Sequence, residues 1–378
     1  MIMGLDQGAI NKLLDRARRE VDDGLLPSCQ LALGYEGEVV VHETFGDATP
    51  DTRYIMYSAT KPFVASVMWQ LIAEGLIDPA ARVTEYFPSF GANGKEAITV
   101  EQVMLHTSGF PQAPMNSVRW VARSSRQQVM TDWHLNWAPG TAFEYHPTSA
   151  HWVLAELIDT VTGGDYRDEL ERRVTGPIGI GRMLGVGDGV TDSADRPIAV
   201  NVLVGDSATP DELEAAFGIR QLPVTEVTDT ALLRFNEPGA RAVGVPGGGG
   251  IADATQIVRF YQELLHNKLG LWPADLLADV TGRVRNTFPD PFTKTSANRS
   301  LGLVLAGADG RSHLRGMGRT LSPEAFGHNG AKGQLVWADP ATGLSFAYLT
   351  NGLDANEVRE PRRGTSINSL AGVCATRA

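Results

Sequence analysis

Strand-like runs gather toward the two ends of this chain, and helix-like runs occupy the space between them. Near the start, residues 30–34 and 39–45 are rich in β-formers and are joined by a short turn containing Glu36 and Gly37. Far along the chain, residues 301–305, 334–339 and 344–349 read the same way. Between them, apolar residues recur at helical spacing over 63–74, which stops at Gly75, and over 152–161. Residues 251–266 are again helical, introduced by the glycine run 247–250, and the tail reads as a closing helix. Strand-forming residues at both ends with helices between predict one sheet built from both termini, with a helical region inserted. The expected division is a sheet domain of residues 1–57 and 240–378 and a mainly helical region of 58–239. Within the latter, 181–235 is an irregular excursion of strand and loop.

Bulk properties narrow the function. With 43% hydrophobic and 20% charged residues over 378 positions, the chain has an ordinary globular composition. Its net charge of -11 argues against nucleic acid as a partner. Cys29 and Cys374 are too few and too scattered for a disulfide framework or a zinc site, and read as packing residues. The opening residues lack the unbroken apolar run of an export signal, being interrupted by Asp6, Lys12, Asp15 and Arg16. Ile10, Leu13, Leu14, Ala17 and Val21 recur instead at the spacing of an amphipathic surface helix. A cytoplasmic location and no membrane span are the expectations. No metal-binding motif and no cofactor motif is present, and nothing signals an oligomeric state.

Chemistry enters at Ser58-Ala59-Thr60-Lys61, an S-x-x-K tetrapeptide. A serine hydroxyl needs a neighbour to take its proton, and residues three apart on a helix share a face. Pro62 supports a helix start here, since proline is tolerated in a first turn. Ser58 would then lie where free N–H groups favour a developing oxyanion, and burial would lower the pKa of Lys61. On its own the tetrapeptide is weak, because such matches arise by chance.

Context strengthens it. Tyr54-Ile-Met-Tyr-Ser-Ala-Thr-Lys-Pro is followed by Gln70-Leu-Ile-Ala-Glu-Gly-Leu-Ile-Asp and Thr99-Val-Glu-Gln-Val-Met-Leu-His-Thr-Ser-Gly-Phe. Pro139-Gly-Thr-Ala-Phe-Glu-Tyr, the glycine run and Gly327-His-Asn-Gly come next, in that order. The series resembles the serine beta-lactamase-like superfamily, and within it the class C beta-lactamase-related hydrolases and family VIII carboxylesterases. The likeness runs from about residue 24 to residue 352 and is least over 181–235.

The resemblance implies an α+β, beta-lactamase/transpeptidase-like fold, an antiparallel sheet flanked by helices with the site in a cleft beside the helical region. It also implies that Tyr145, matching the tyrosine of the family's Y-x-N motif, shuttles a proton. Whether Lys61 or Tyr145 is the primary base stays open. The asparagine of that motif is replaced by Pro147, whose side chain neither donates nor accepts. His146 or His151 would substitute for it in part, against the plainer reading of each as structural. His328-Asn329-Gly330 stands where the family has K-T-G or H-x-G, before an expected edge strand facing the cleft. Gly330 would let the backbone approach the substrate, the Ala331 N–H would join that of Ser58 in an oxyanion hole, and His328 would tune Tyr145. Asn329 is a further candidate for substrate contact, and His106-Thr107-Ser108-Gly109 implies a structural turn.

Trp120, Trp133 and Trp137 are concentrated in one stretch, and form either an apolar wall for the substrate or the core of the helical region. The expected activity is a two-step carboxylesterase acting on a small-molecule ester through an acyl-enzyme. The loss of the asparagine weighs against beta-lactam hydrolysis. Alternatives are a beta-lactamase or D-amino-acid peptidase, an acyltransferase on a small metabolite, and a non-catalytic binding relative.

Overall fold

A computed structural model describes residues 4–187, 196–223 and 225–376. Its main sheet has six strands: β1 (Ser28–Tyr35), β2 (Glu38–Gly46), β3 (Val304–Leu305), β4 (Phe326–Gly327), β5 (Leu335–Asp339) and β6 (Leu344–Thr350). Their order is β2-β1-β6-β5-β4-β3, and every neighbouring pair is antiparallel. The N-terminal hairpin therefore docks on the C-terminal strands, with Ala32 opposite Ala347, giving the sheet drawn from both ends. Glu36 and Gly37 both have positive φ, 53° and 86°, as a two-residue I′ hairpin turn requires.

Apart from the edge strand β2, which is half-exposed, the sheet is buried on both faces, and side-chain alternation sorts them. Leu31, Leu33, Leu335, Trp337, Phe346 and Tyr348 point into one core. Helix α1 (Gln7–Asp22) contributes Ile10, Leu13 and Ala17 to it, and the closing helix Arg359–Ala371 contributes Ile367 and Ala371. Ala32, Val336, Ala338, Ala347 and Leu349 point the other way, into the larger core. On that face of β1, Gly34 lacks a side chain for a reason. A Cβ on Gly34 would lie 2.5 Å from Val258 of the helix packed there.

Four further helices frame the site: α2 (Lys61–Ala73), α3 (Ser149–Thr162), α4 (Ala254–His266) and α5 (Arg359–Ala371). In α2, every residue from Lys61 to Leu71 is buried, so it is a core helix rather than an amphipathic one. Phe63 stacks on Phe260 of α4 at 3.9 Å on one side, and α3 lies against it on another. Among the described residues no helix is long and apolar enough to cross a membrane.

Three expectations change. The helix expected from residue 251 starts at Ala254, capped by Asp253, whose carboxylate accepts from the Gln256 N–H at 3.0 Å. Residues Ile251–Ala252 instead form a short ladder with Tyr54–Ile55. The strand after His328 is not at the sheet edge, because β4 and β3 lie beyond β5 and the edge belongs to Val304–Leu305. The excursion 181–235 holds helices as well as a strand, Val202–Val204, which pairs in parallel with Gly352–Asp354. Its residues 188–195 and 224 lie outside the described residues.

Candidate active site

The short ladder of Tyr54–Ile55 on Ile251–Ala252 sets the approach to Ser58, and the Met56 N–H extends it to the Gly250 carbonyl at 2.8 Å. The chain then turns through Tyr57, whose φ of 47° is left-handed and unusual for an aromatic residue. Residues Tyr57–Thr60 make one 3-10 turn that runs directly into α2, with Pro62 in its first turn. Ser58 is thereby half-buried at the mouth of a helix and Lys61 is fully buried one turn on.

The Lys61 Nζ lies 3.1 Å from the Ser58 Oγ, 2.6 Å from the Pro147 carbonyl oxygen and 2.7 Å from that of Gly247. Burial holds its pKa well below the ordinary lysine value, with a further downward push from Arg299 and an opposing pull from Glu226. A neutral amine has two hydrogens and one lone pair. As an ammonium Lys61 donates to all three oxygens. If it loses a proton, the two carbonyls can hold the remaining hydrogens and the lone pair can turn to the Ser58 hydroxyl.

Pro147 thus has a second aspect. Its side chain supplies no amide, yet its main-chain carbonyl holds the lysine. Neither histidine nearby takes that place. His146 is fully engaged, its Nδ1 donating to the Glu144 carbonyl at 2.6 Å and its Nε2 accepting from the Phe110 N–H at 3.3 Å. His151 is buried beside the Lys61 main chain, and among the described residues neither of its ring nitrogens makes a well-formed hydrogen bond. The turn around His106 is indeed framework: the His106 Nδ1 accepts from the His146 N–H at 3.1 Å, and Ser108 bonds the His146 ring.

Tyr145 is brought against this pair. Its ring lies 5.1 Å from the Lys61 Nζ and 5.8 Å from the ring of His328. Its hydroxyl is buried and makes no well-formed hydrogen bond among the described residues. Burial pushes the phenol up to about 12, against the pull of Arg299 and of the neighbouring Ser58 hydroxyl. The pKa of His328 is held well below the usual histidine value, first by burial and then by Arg299, so its ring is neutral.

The turn at 328–331 meets the nucleophile segment from the other side. A Cβ on Gly330 would fall 2.1 Å from the Met56 carbonyl oxygen, so glycine is needed here for approach to the protein's own backbone. This contact is a requirement for glycine additional to the expected approach of backbone to substrate. Among the described residues, the N–H groups of Ser58 and Ala331 donate to no other group. Free N–H groups on these two facing segments are what an oxyanion hole consists of. Asn329 is occupied: its Oδ1 accepts from the Val336 N–H at 2.9 Å and its Nδ2 donates to the Gly316 carbonyl. These two bonds brace the hairpin, and they leave one N–H and one lone pair of the amide for other partners.

The tryptophans separate. Trp133 is buried, its indole N–H bonded to the Pro114 carbonyl at 2.8 Å and its ring 5.5 Å from that of Phe110, so it belongs to the core. Trp120 is half-buried and lies 6.4 Å from Phe235 in the excursion. Phe235 also meets the ring of Tyr57 edge-on at 5.8 Å, which ties Trp120 to the nucleophile turn. Trp137 is half-buried with its ring edge toward His146 at 6.1 Å.

Three groups at the site have no signal in the motifs. Gly247 contributes a carbonyl, from a run expected only to turn the chain. Glu226, from the excursion, accepts from both the N–H and the hydroxyl of Thr148 at 3.2 and 2.9 Å, next to Pro147. Arg299 lies 5.0 Å from the Tyr145 ring and 3.2 Å from the His328 Nε2.

Comparison with known proteins bears on family and fold. The chain is 28% identical to the "Esterase/beta-lactamase LipL" of Mycobacterium tuberculosis, over 80% of this chain and 70% of that protein. A "Putative D-alanyl-D-alanine carboxypeptidase" of Escherichia coli is 23% identical over 84% of this chain and 73% of its own length. Among solved structures, a family VIII carboxylesterase superposes with a TM-score of 0.78 at 28% identity, covering 98% of this chain and 99% of that one. A penicillin-binding protein homologue from Caulobacter crescentus gives 0.75 at 24% identity, over 97% and 98% of the two chains, a likeness of fold. The family model described as Beta-lactamase matches residues 14–368. The chain belongs to the beta-lactamase family and has its beta-lactamase/transpeptidase-like fold.

Proposed function

We propose that the protein is a serine hydrolase that forms an acyl-enzyme on Ser58 and acts as a carboxylesterase on small or medium acyl esters. The observation that carries this reading is the buried Lys61 amine, 3.1 Å from the Ser58 Oγ and held by two main-chain carbonyls. In the first step Lys61 takes the Ser58 proton as Oγ attacks the ester carbonyl. The oxyanion rests on the N–H groups of Ser58 and Ala331, where fixed donors in a dry site stabilise charge without reorganising. Tyr145 gives its proton to the departing alkoxide and regains one from Lys61, so the alcohol leaves neutral and the pair is reset. Water then enters by the reverse sequence and releases the acid.

Esters are favoured over amides and lactams by Pro147, which leaves no side-chain amide to orient a substrate amide. The family VIII carboxylesterase among the structures, 28% identical, supports the same direction, while the relative named for both esterase and beta-lactamase is compatible with either substrate. The test is a panel of p-nitrophenyl esters of graded acyl length, nitrocefin and a D-alanyl amide, with Ser58→Ala as control. Ester turnover should dominate, with a burst of p-nitrophenol stoichiometric with enzyme if deacylation is slow. Undiminished ester hydrolysis by Ser58→Ala would sink the mechanism, and faster turnover of nitrocefin or the amide would sink the substrate class.

A further inference from the structure

We propose that Arg299 is a positioning residue of this site, acting through His328 and Tyr145 and not on the substrate. The role rests on the acyl transfer proposed above.

The main chain of Arg299 is fixed by reciprocal hydrogen bonds with Asn286, at 3.0 and 3.1 Å, just before β3. From there the guanidinium passes over the ring of Phe143 at 5.3 Å and that of Tyr145 at 5.0 Å. Its Nη1 stops 3.2 Å from the His328 Nε2. Among the described residues the carboxylate that acts on it, that of Asp290, makes no ion pair with it, and its Nε is buried without a hydrogen-bond partner. Arg299 is half-buried, and a partly desolvated cation without a close counter-ion is costly to hold. Groups kept at such a cost gather at functional sites.

Hydrogen-bond bookkeeping determines what it does. An arginine only donates, so the His328 Nε2 must accept. The ring proton is then on Nδ1, which lies 3.0 Å from the Asn329 carbonyl and donates to it. Arg299 therefore locks His328 as the neutral Nδ1–H tautomer, with no free nitrogen to compete for the proton of Ser58. The same guanidinium lies over Tyr145, where the phenolate appears as the leaving alcohol takes its proton. The other ionisable groups that face Tyr145 are Lys61, Glu226 and His106, and those that face His328 are Lys61, His151 and the Tyr261 phenol at its backbone. Asp290 acts on Arg299 from outside the site. Of these, Arg299 alone touches both rings through a fixed cation.

The experiment compares Arg299→Met and Arg299→Lys in the full chain. Two readouts are taken: the pH profile of kcat/KM on a p-nitrophenyl ester, and nitrogen NMR of the His328 tautomer, assigned with His328→Gln. Removing the charge should move the alkaline rise in kcat/KM upward by about one pH unit or more. It should also release the His328 tautomer. The lysine variant should keep the profile near that of the parent. An unshifted profile in Arg299→Met, with the rate lowered equally at every pH, would mean a structural role and overturn the proposal, as would an unchanged tautomer. If Arg299→Met does not fold, Arg299→Gln replaces it and is read by the same two criteria. Loss of the Ser58 mechanism itself would appear separately, as activity surviving in Ser58→Ala, while the tautomer still tests Arg299.

Discussion

Replacing Gly330 by alanine adds one methyl group to the hairpin that faces the nucleophile, and there is no room for it. The new Cβ would lie 2.1 Å from the Met56 carbonyl oxygen and 2.9 Å from the Gln334 Cβ. An ordinary carbon–oxygen contact is about 3.3 Å, so the segments must part by roughly 1 Å. Neither yields freely. The Met56 N–H is bonded to Gly250 and the Gly330 N–H to Gln334, both at 2.8 Å. Overpacking of this kind costs about 1–3 kcal/mol. The effect on activity should be larger, because Met56 is two residues before Ser58 and Gly330 is next to Ala331. A displacement near 1 Å in a catalytic arrangement costs on the order of a hundredfold. Gly330→Ala should thus lower kcat/KM on a p-nitrophenyl ester by about that factor while the urea midpoint falls modestly. Activity within about twofold of the parent would refute the reasoning, since it would mean that the two segments are free to separate without consequence.

The buried histidines predict acid sensitivity. His106, His146, His151 and His328 are all held below the ordinary range by burial, His146 at about 3. A histidine with a lowered folded pKa takes its proton first in the unfolded chain, so stability falls as pH drops below about 6.5, by up to ~2 kcal/mol per residue by pH 5. Urea midpoints that do not move between pH 7 and pH 5 would contradict this. The tryptophans should divide by environment. Trp133→Ala should cost about 3–5 kcal/mol of stability and leave acyl-length preference alone. Trp120→Ala should shift that preference with little effect on stability, and the reverse pattern in denaturation and substrate-panel data would overturn the assignment.

What could be read from the sequence was whatever is carried by side-chain type at short range. Ser58 and Lys61 share one helical turn, and Tyr145 and His328 stand in recognisable motifs. The chemistry carried by main-chain atoms left no trace, because every residue has a carbonyl. The groups holding the lysine, Pro147 and Gly247, do so through oxygens no motif can specify. Pro147 was legible as a loss and only the fold reveals what remains at that position. Arg299 and Glu226 reach the site by long-range packing, with no local pattern to distinguish them from other arginines and glutamates. The late start of α4 was readable: Asp253 and Gln256 have the spacing of a capping box, overridden by counting apolar Ile251 as helical.

The pairing of β1 with β6 also has a bearing on biogenesis. During synthesis β1 emerges with β2 as its sole partner, and its other edge stays unpaired until residues 344–350 have left the ribosome. An apolar strand with an open edge is a template for wrong partners, so the nascent chain is exposed to aggregation for most of its translation. A polypeptide stalled before that point contains Ser58 and Lys61 but lacks the central strand that joins the two halves of the sheet. Competence should then arrive late and all at once, timed by completion of the C-terminal strands rather than by synthesis of the nucleophile.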